Sequence, residues 1–316
     1  MKKTIAILAG TLLVLISCSE SKEVKTYYTV EELGEALFFD PILSRDSTIS
    51  CASCHQPQFA FADNKAVSDG FNNQKTDRNT PSCMNMSARN AYFWDGRAET
   101  LEEQALGPIE SSVEMNLPLS IAIKRLKRSE QYKQSFRAVF NAMPSIQNMA
   151  TALADYQRTL ETNDSPFDNY LTGRDTTQLS ASAKRGLELF NTKARCFDCH
   201  FGVDFTGNDK FKNIGLYNGK NYNDAGRYKI SNNPKDIGAF KTPGLRNIAQ
   251  TAPYMHDGSI KTLADVIDYY NEPDKLVPNS INRDTSLSKP LGLTAAEKKD
   301  LENFLLSLSD KRFAKK

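Results

Sequence analysis

The chain has 316 residues, enough for two domains of ordinary size that each bury a core. Hydrophobic residues make up 40% and charged residues 25%, the balance of a globular protein. A formal net charge of +2 excludes the strongly basic face of a nucleic-acid binder, and no nucleic-acid partner is expected.

Lys2 and Lys3 precede an apolar run from Ile5 to Ile16 that is too short for a comfortable membrane span. The run closes on Leu15-Ile16-Ser17-Cys18, which resembles a bacterial lipobox. Residues 1–17 are therefore expected to be a lipoprotein signal peptide, with Cys18 lipidated and residues 18–28 a polar tether. That places the protein outside the cytoplasm, facing the periplasm, and touching the membrane through its lipid alone.

Helical spacing begins near Val30, with Leu33, Leu37 and Phe38 on one face beside Gly34, and Pro41 ends it. A loop then delivers Cys51, Cys54 and His55 in the run CASCH. Two thiols three positions apart can add to the two vinyl groups of one haem, and the next histidine is held against its iron. Residues 62–82 show no periodicity and read as a long loop, a length that tends to serve function. A helix is expected from about Thr100, another from Ile121 to Phe140, and a third carrying Met149, Leu153, Tyr156 and Leu160. Residues 164–175 have turn chemistry and mark the boundary between an N-terminal domain, 29–165, and a C-terminal domain, 166–316.

The second half repeats the prelude of the first. Ser180 caps a helix with Leu187 and Phe190 on one face beside Gly186, so GEALF at 34–38 and GLELF at 186–190 form a short internal repeat. Each reads like the first helix of a cytochrome c domain, where glycine lets another helix cross closely. CFDCH follows, with Cys196, Cys199 and His200. Two such motifs behind an export signal imply two covalently held haem c groups, since no further cysteine pair or spare histidine remains to complete zinc sites. Residues 201–250 are dense in Gly, Asn, Asp and Lys; helix resumes over 262–270, and a capping box from Thr294 to Glu297 opens the last helix. No run reads as a sheet. The expected fold is all-α: two tandem cytochrome c-like domains, one haem each, the haem sites near the domain interface.

Counting residues sharpens this. Of six cysteines, Cys83 alone lies outside the lipobox and the two motifs, and it is expected to fill a buried gap. Of three histidines, only His256 is not spent on a motif.

The segments CASCH, RNTPS (78–82), FWDGRAETLEEQALGPI (93–109), VEM (113–115), CFDCH and FKTPGLRNIAQTAPYMHDGS (240–259) occur in this order. In them the chain resembles the bacterial di-haem cytochrome c peroxidases and the related MauG proteins. The resemblance makes the N-terminal haem peroxidatic, with His55 as proximal ligand. Many members place a second histidine sixteen residues on; here that position is Phe71, and the surrounding loop holds none. The N-terminal iron is therefore expected to be open or water-bound without reductive activation. By the same resemblance Glu114 is the distal acid/base, Gln104 a distal amide, and Trp94 the electron carrier between the haems. Asn79 with the carbonyls of Thr251 and Pro253 matches an interhaem Ca2+ site, whose oxygen donors suit a hard cation. His200 is proximal to the second iron. For its other face Tyr270 is preferred, fourteen residues beyond His256 where MauG proteins use tyrosine, with Met255 second and Tyr269 third. His256 is read as a structural or electron-path residue near this haem.

The implied activity is reduction of hydrogen peroxide to water, with electrons from a small donor protein, a cytochrome c or cupredoxin, through the C-terminal haem. A homodimer is compatible with it. The alternatives are a MauG-like oxidase that modifies a partner protein, and a di-haem electron carrier without peroxide chemistry.

Overall fold

The computed structural model describes residues 24–313; the expected signal peptide, Cys18 and the start of the tether lie outside the described residues. The described chain is mostly helical. Its helices are α1 (Val30–Phe39), α2 (Cys51–Cys54), α3 (Leu101–Glu110), α4 (Leu119–Arg128), α5 (Glu130–Phe140) and α6 (Ile146–Arg158) in the first half. The second half holds α7 (Pro166–Leu171), α8 (Ala181–Asn191), α9 (Tyr228–Ser231), α10 (Leu263–Asn271) and α11 (Ala295–Leu306). Two short antiparallel strands, β1 (Phe211–Lys212) and β2 (Phe240–Lys241), pair Phe211 with Lys241. Among the described residues no helix is long and apolar enough to cross a membrane.

Helix starts follow side-chain chemistry. The Thr29, Ser165 and Thr294 hydroxyls each accept from the third helical N–H, and Glu32, Asp168 and Glu297 reach back to the cap N–H. Ser180 caps α8 as expected from sequence. Two expectations are corrected. The single helix over 121–140 is two helices, because Ser129 turns the chain and its hydroxyl accepts from Tyr132 N, starting α5 afresh. The turn expected at 164–175 contains α7, where Pro166 sits at the tolerated first helical position and Phe167 is buried.

Two large hydrophobic cores, with a smaller cluster of Tyr92, Ala98, Leu101 and Ala154, organise the described residues. One gathers Leu33, Leu37, Phe38, Ile109, Phe136, Met149 and Leu153, together with Cys83. The other gathers Phe167, Phe190, Phe205, Leu263, Leu301 and Phe304. In the first core α1 crosses α6, and a Cβ on Gly34 would lie 1.9 Å from Ala152 O. In the second α8 crosses α11, and a Cβ on Gly186 would lie 2.0 Å from Asp300 O. The five-residue repeat is thus one helix crossing built twice.

The halves are tied together through residues 78–95. Arg78 holds Asp95 through Nη1 and Asp224 through Nε, each at 2.7 Å. Asn79 N donates to His256 O at 2.7 Å, and Lys241 N donates to Trp94 O at 2.8 Å.

Candidate haem sites

Each motif follows its glycine-bearing helix and lies on a short helical turn, Cys51–Cys54 in the first and Cys196–Asp198 with Cys199 as its cap in the second. His55 Nδ1 lies 2.9 Å from Phe61 O, and His200 Nδ1 lies 2.9 Å from Phe205 O. A carbonyl can only accept, so both Nδ1 atoms carry the proton and both Nε2 lone pairs are left to face a metal. The accepting phenylalanines match in detail. Phe61 and Phe205 both have φ of 56°, a conformation few non-glycine residues adopt. Each packs on the phenylalanine that ends the repeat, with Phe38–Phe61 centroids 6.1 Å apart and Phe190–Phe205 centroids 5.8 Å apart. The internal repeat therefore extends from the helix crossing to the atom that orients the histidine.

Burial pushes the Cys51 and Cys196 thiols up to about 12. The second motif opens into a largely apolar cavity of about 260 Å³ whose wall includes Cys196, Cys199, His200, Met255, Leu263 and Tyr270. The residues present fit haem c at both motifs.

Around the first motif, Glu114 occupies a turn after α3. Its backbone is pinned by Ser111 O at 3.1 Å and by Phe71 N, which donates to Glu114 O at 2.8 Å. Desolvation raises the Glu114 carboxyl above its ordinary value, against the lowering effects of the Arg97 cation and a hydrogen bond from Ser111. The same carboxyl acts electrostatically on both Cys51 and Cys54, so the fold brings it to this motif. Gln104 lies half-buried on α3, and among the described residues no hydrogen bond joins its amide to Glu114. Sequence reasoning missed Arg97, whose guanidinium lies 3.4 Å from the centre of the Phe93 ring and pairs with Asp95 at 3.0 Å. Its signal was present in FWDGR, where only the tryptophan was weighed.

Around the second motif, Tyr270 and Met255 both line the cavity. Tyr269, the third choice, does not compete: its hydroxyl donates to Ile214 O at 2.6 Å. No hydrogen bond occupies the Tyr270 hydroxyl among the described residues, and burial holds it protonated well past the usual phenol range. His256 is buried and stacks on Phe240 with centroids 3.8 Å apart, so the one unspent imidazole belongs to this cavity.

Trp94, Asn79, Thr251 and Pro253 share the wall of the same cavity. Trp94 Nε1 donates to Asn79 O at 2.8 Å. Asn79 Nδ2 donates to Lys65 O at 3.0 Å, which leaves Oδ1 as the end able to meet a cation.

The family model described as di-haem cytochrome c peroxidase matches residues 29–176. A methylamine utilization protein MauG from Methylorubrum extorquens is 40% identical over 285 residues, covering 87% of this chain and 77% of that protein. A cytochrome c551 peroxidase from Pseudomonas aeruginosa is 40% identical over 244 residues, covering 75% and 70%. The chain belongs to the di-haem cytochrome c peroxidase and MauG family. A solved MauG-like protein associated with microbial copper homeostasis superposes with a TM-score of 0.81 at 33% identity, covering 92% of this chain and 94% of its own. As a member, the protein is a peroxidase-class oxidoreductase whose cofactors are two haem c groups.

Proposed function

We propose that the N-terminal motif holds the peroxidatic haem on Cys51, Cys54 and His55, and that the C-terminal motif holds the electron-transfer haem on Cys196, Cys199 and His200. The division into domains 29–165 and 166–316 goes with that reading and is supported by the two separate cores. The haem iron supplies the redox chemistry at which peroxide is cleaved. Splitting the O–O bond heterolytically needs a proton taken from one oxygen and given to the other, and Glu114 relays it through its carboxyl. Gln104 orients the peroxide through its amide. Trp94 carries electrons across the seam, where Asn79, Thr251 and Pro253 hold a Ca2+ ion.

One observation carries the reading. The chain has three histidines, and the one not spent on a motif stacks on Phe240 in the cavity of the second motif. No imidazole is left to close the iron held by His55, and Phe71 occupies the position from which one would come. Water or peroxide can enter there. The protein works outside the cytoplasm, facing the periplasm and anchored through Cys18, and takes electrons from a small cytochrome c or cupredoxin.

Turnover of hydrogen peroxide with a reduced small cytochrome c tests this. Steady oxidation of the donor is expected, slowed in Trp94→Phe while both haem spectra stay unchanged. Failure with every donor, while peroxide still oxidises the haems, would move the protein to the MauG-like reading. That reading draws on Tyr270, a buried phenol with its hydroxyl unengaged at the second motif. Replacing Tyr270 by Phe is expected to change the low-spin ferric signal and leave the high-spin one alone; an unchanged low-spin signal would return the ligand to Met255.

A further inference from the structure

Arg89 and Asp209 form an ion pair in which both side chains are 3% exposed, with Arg89 Nη2 2.7 Å from Asp209 Oδ1. Arg89 Nη2 also donates to Thr242 O at 3.1 Å, and Asp209 Oδ2 accepts from Asn90 N at 2.6 Å. Among the described residues Arg89 Nε is buried and has no hydrogen-bond partner, and Asp209 Oδ1, though close to Arg89 Nη2, accepts no well-aligned hydrogen bond. Lys241 brings a second cation to the same place, its Nζ 3.6 Å from Asp209 Oδ1, too far for a hydrogen bond. One carboxylate thus faces two cations, and both cations line the cavity of the second motif.

The other Lys and Arg side chains on that wall each already hydrogen-bond a carboxylate, Arg195 that of Asp198. Arg246 gives Nε to Asp204 and both terminal nitrogens to Asp168, and Lys212 is held by Asp284 at 2.7 Å. A buried guanidinium N–H without a partner is costly, and so is a buried ammonium whose anion lies beyond hydrogen-bond reach. The fold keeps both, from opposite halves of the chain, beside the strand whose Lys241 N bonds Trp94 O.

We propose that Arg89 Nε and Lys241 Nζ receive a propionate of the haem carried by Cys196 and Cys199. The carboxylate supplies the missing acceptor at Arg89 and an anion within hydrogen-bond reach for Lys241. It ties the haem edge to the strand that also holds Trp94. The proposal rests on the attachment of that haem at the second motif. Burial and the neighbouring Arg89 cation lower the Lys241 ammonium to about 7, the condition a bound carboxylate would relieve.

The test uses holoprotein carrying Lys241→Met, which leaves the Arg89–Asp209 pair intact, and separately Arg89→Lys, which keeps the charge but loses the planar fork. Both are expected to retain two haems per chain. In both, the propionate-bending band of the second haem in resonance Raman spectra should shift. In Lys241→Met the ferric form of that haem should also gain about tenfold over the ferrous, roughly 59 mV for a one-electron couple. Unchanged bands in both variants, with two haems attached, would overturn the proposal. So would a potential shift without a band shift, because a distant charge alone produces that. Attachment is tested apart by Cys196→Ala with Cys199→Ala: one haem per chain is expected, and two would remove the reading on which the proposal stands.

Discussion

Replacing Glu114 by glutamine is expected to lower kcat/KM for hydrogen peroxide by about 10²–10⁴-fold, the usual worth of a positioned proton-transfer group. The amide keeps the size and the turn geometry, so haem content and resting spectra should not change. The pH profile gives a second signature. A base must be ionised to act, and burial raises this carboxyl above the ordinary glutamate value of about 4.3. Activity should therefore fall as pH drops through a midpoint above that value, and the acid limb should vanish in Glu114→Gln. A variant within threefold of the parent would remove Glu114 from the mechanism.

The largest structural effect is expected at the two crossings. A Cβ at Gly34 or Gly186 would sit about 2 Å from a backbone carbonyl of the facing helix, and a backbone cannot step aside as a side-chain tip can. Gly186→Val should therefore separate α8 from α11 and cost about 3 kcal/mol, the upper end of ordinary overpacking. Gly34→Val should do the same between α1 and α6. Guanidinium melts of the holoproteins followed by circular dichroism measure this. Losses below about 0.5 kcal/mol would mean the helices can slide without penalty.

What could be read in the sequence was local chemistry. The CxxCH runs, the capping box at Thr294, Ser180 and the paired glycines each act within a few residues, so the chain order displays them directly. Even the role of the glycines followed, because a small residue on an apolar helical face has few other uses. The break at Ser129 was hidden because the apolar period continues across it, while one hydroxyl starts a new helix. Helix α7 was hidden because Ser-Pro signals a turn and a helix start equally well. The hydrogen-bond and charge partners of individual side chains left no mark. Nothing in CASCH says that Phe61 O will orient His55, and nothing in VEM says that the Arg97 cation will act on the Glu114 carboxyl. The pairing of Arg89 with Asp209 spans more than a hundred residues, and Lys241 joins the same carboxylate; both follow only from the seam between halves.

Beyond these, the account turns on the other face of the iron held by His55. Electron paramagnetic resonance of the resting ferric protein reads both irons at once. One high-spin and one low-spin haem in equal amounts are predicted, the high-spin signal arising from the N-terminal site where Phe71 stands in place of a histidine. Two low-spin haems would mean that a protein ligand already closes the first iron, and would contradict the account.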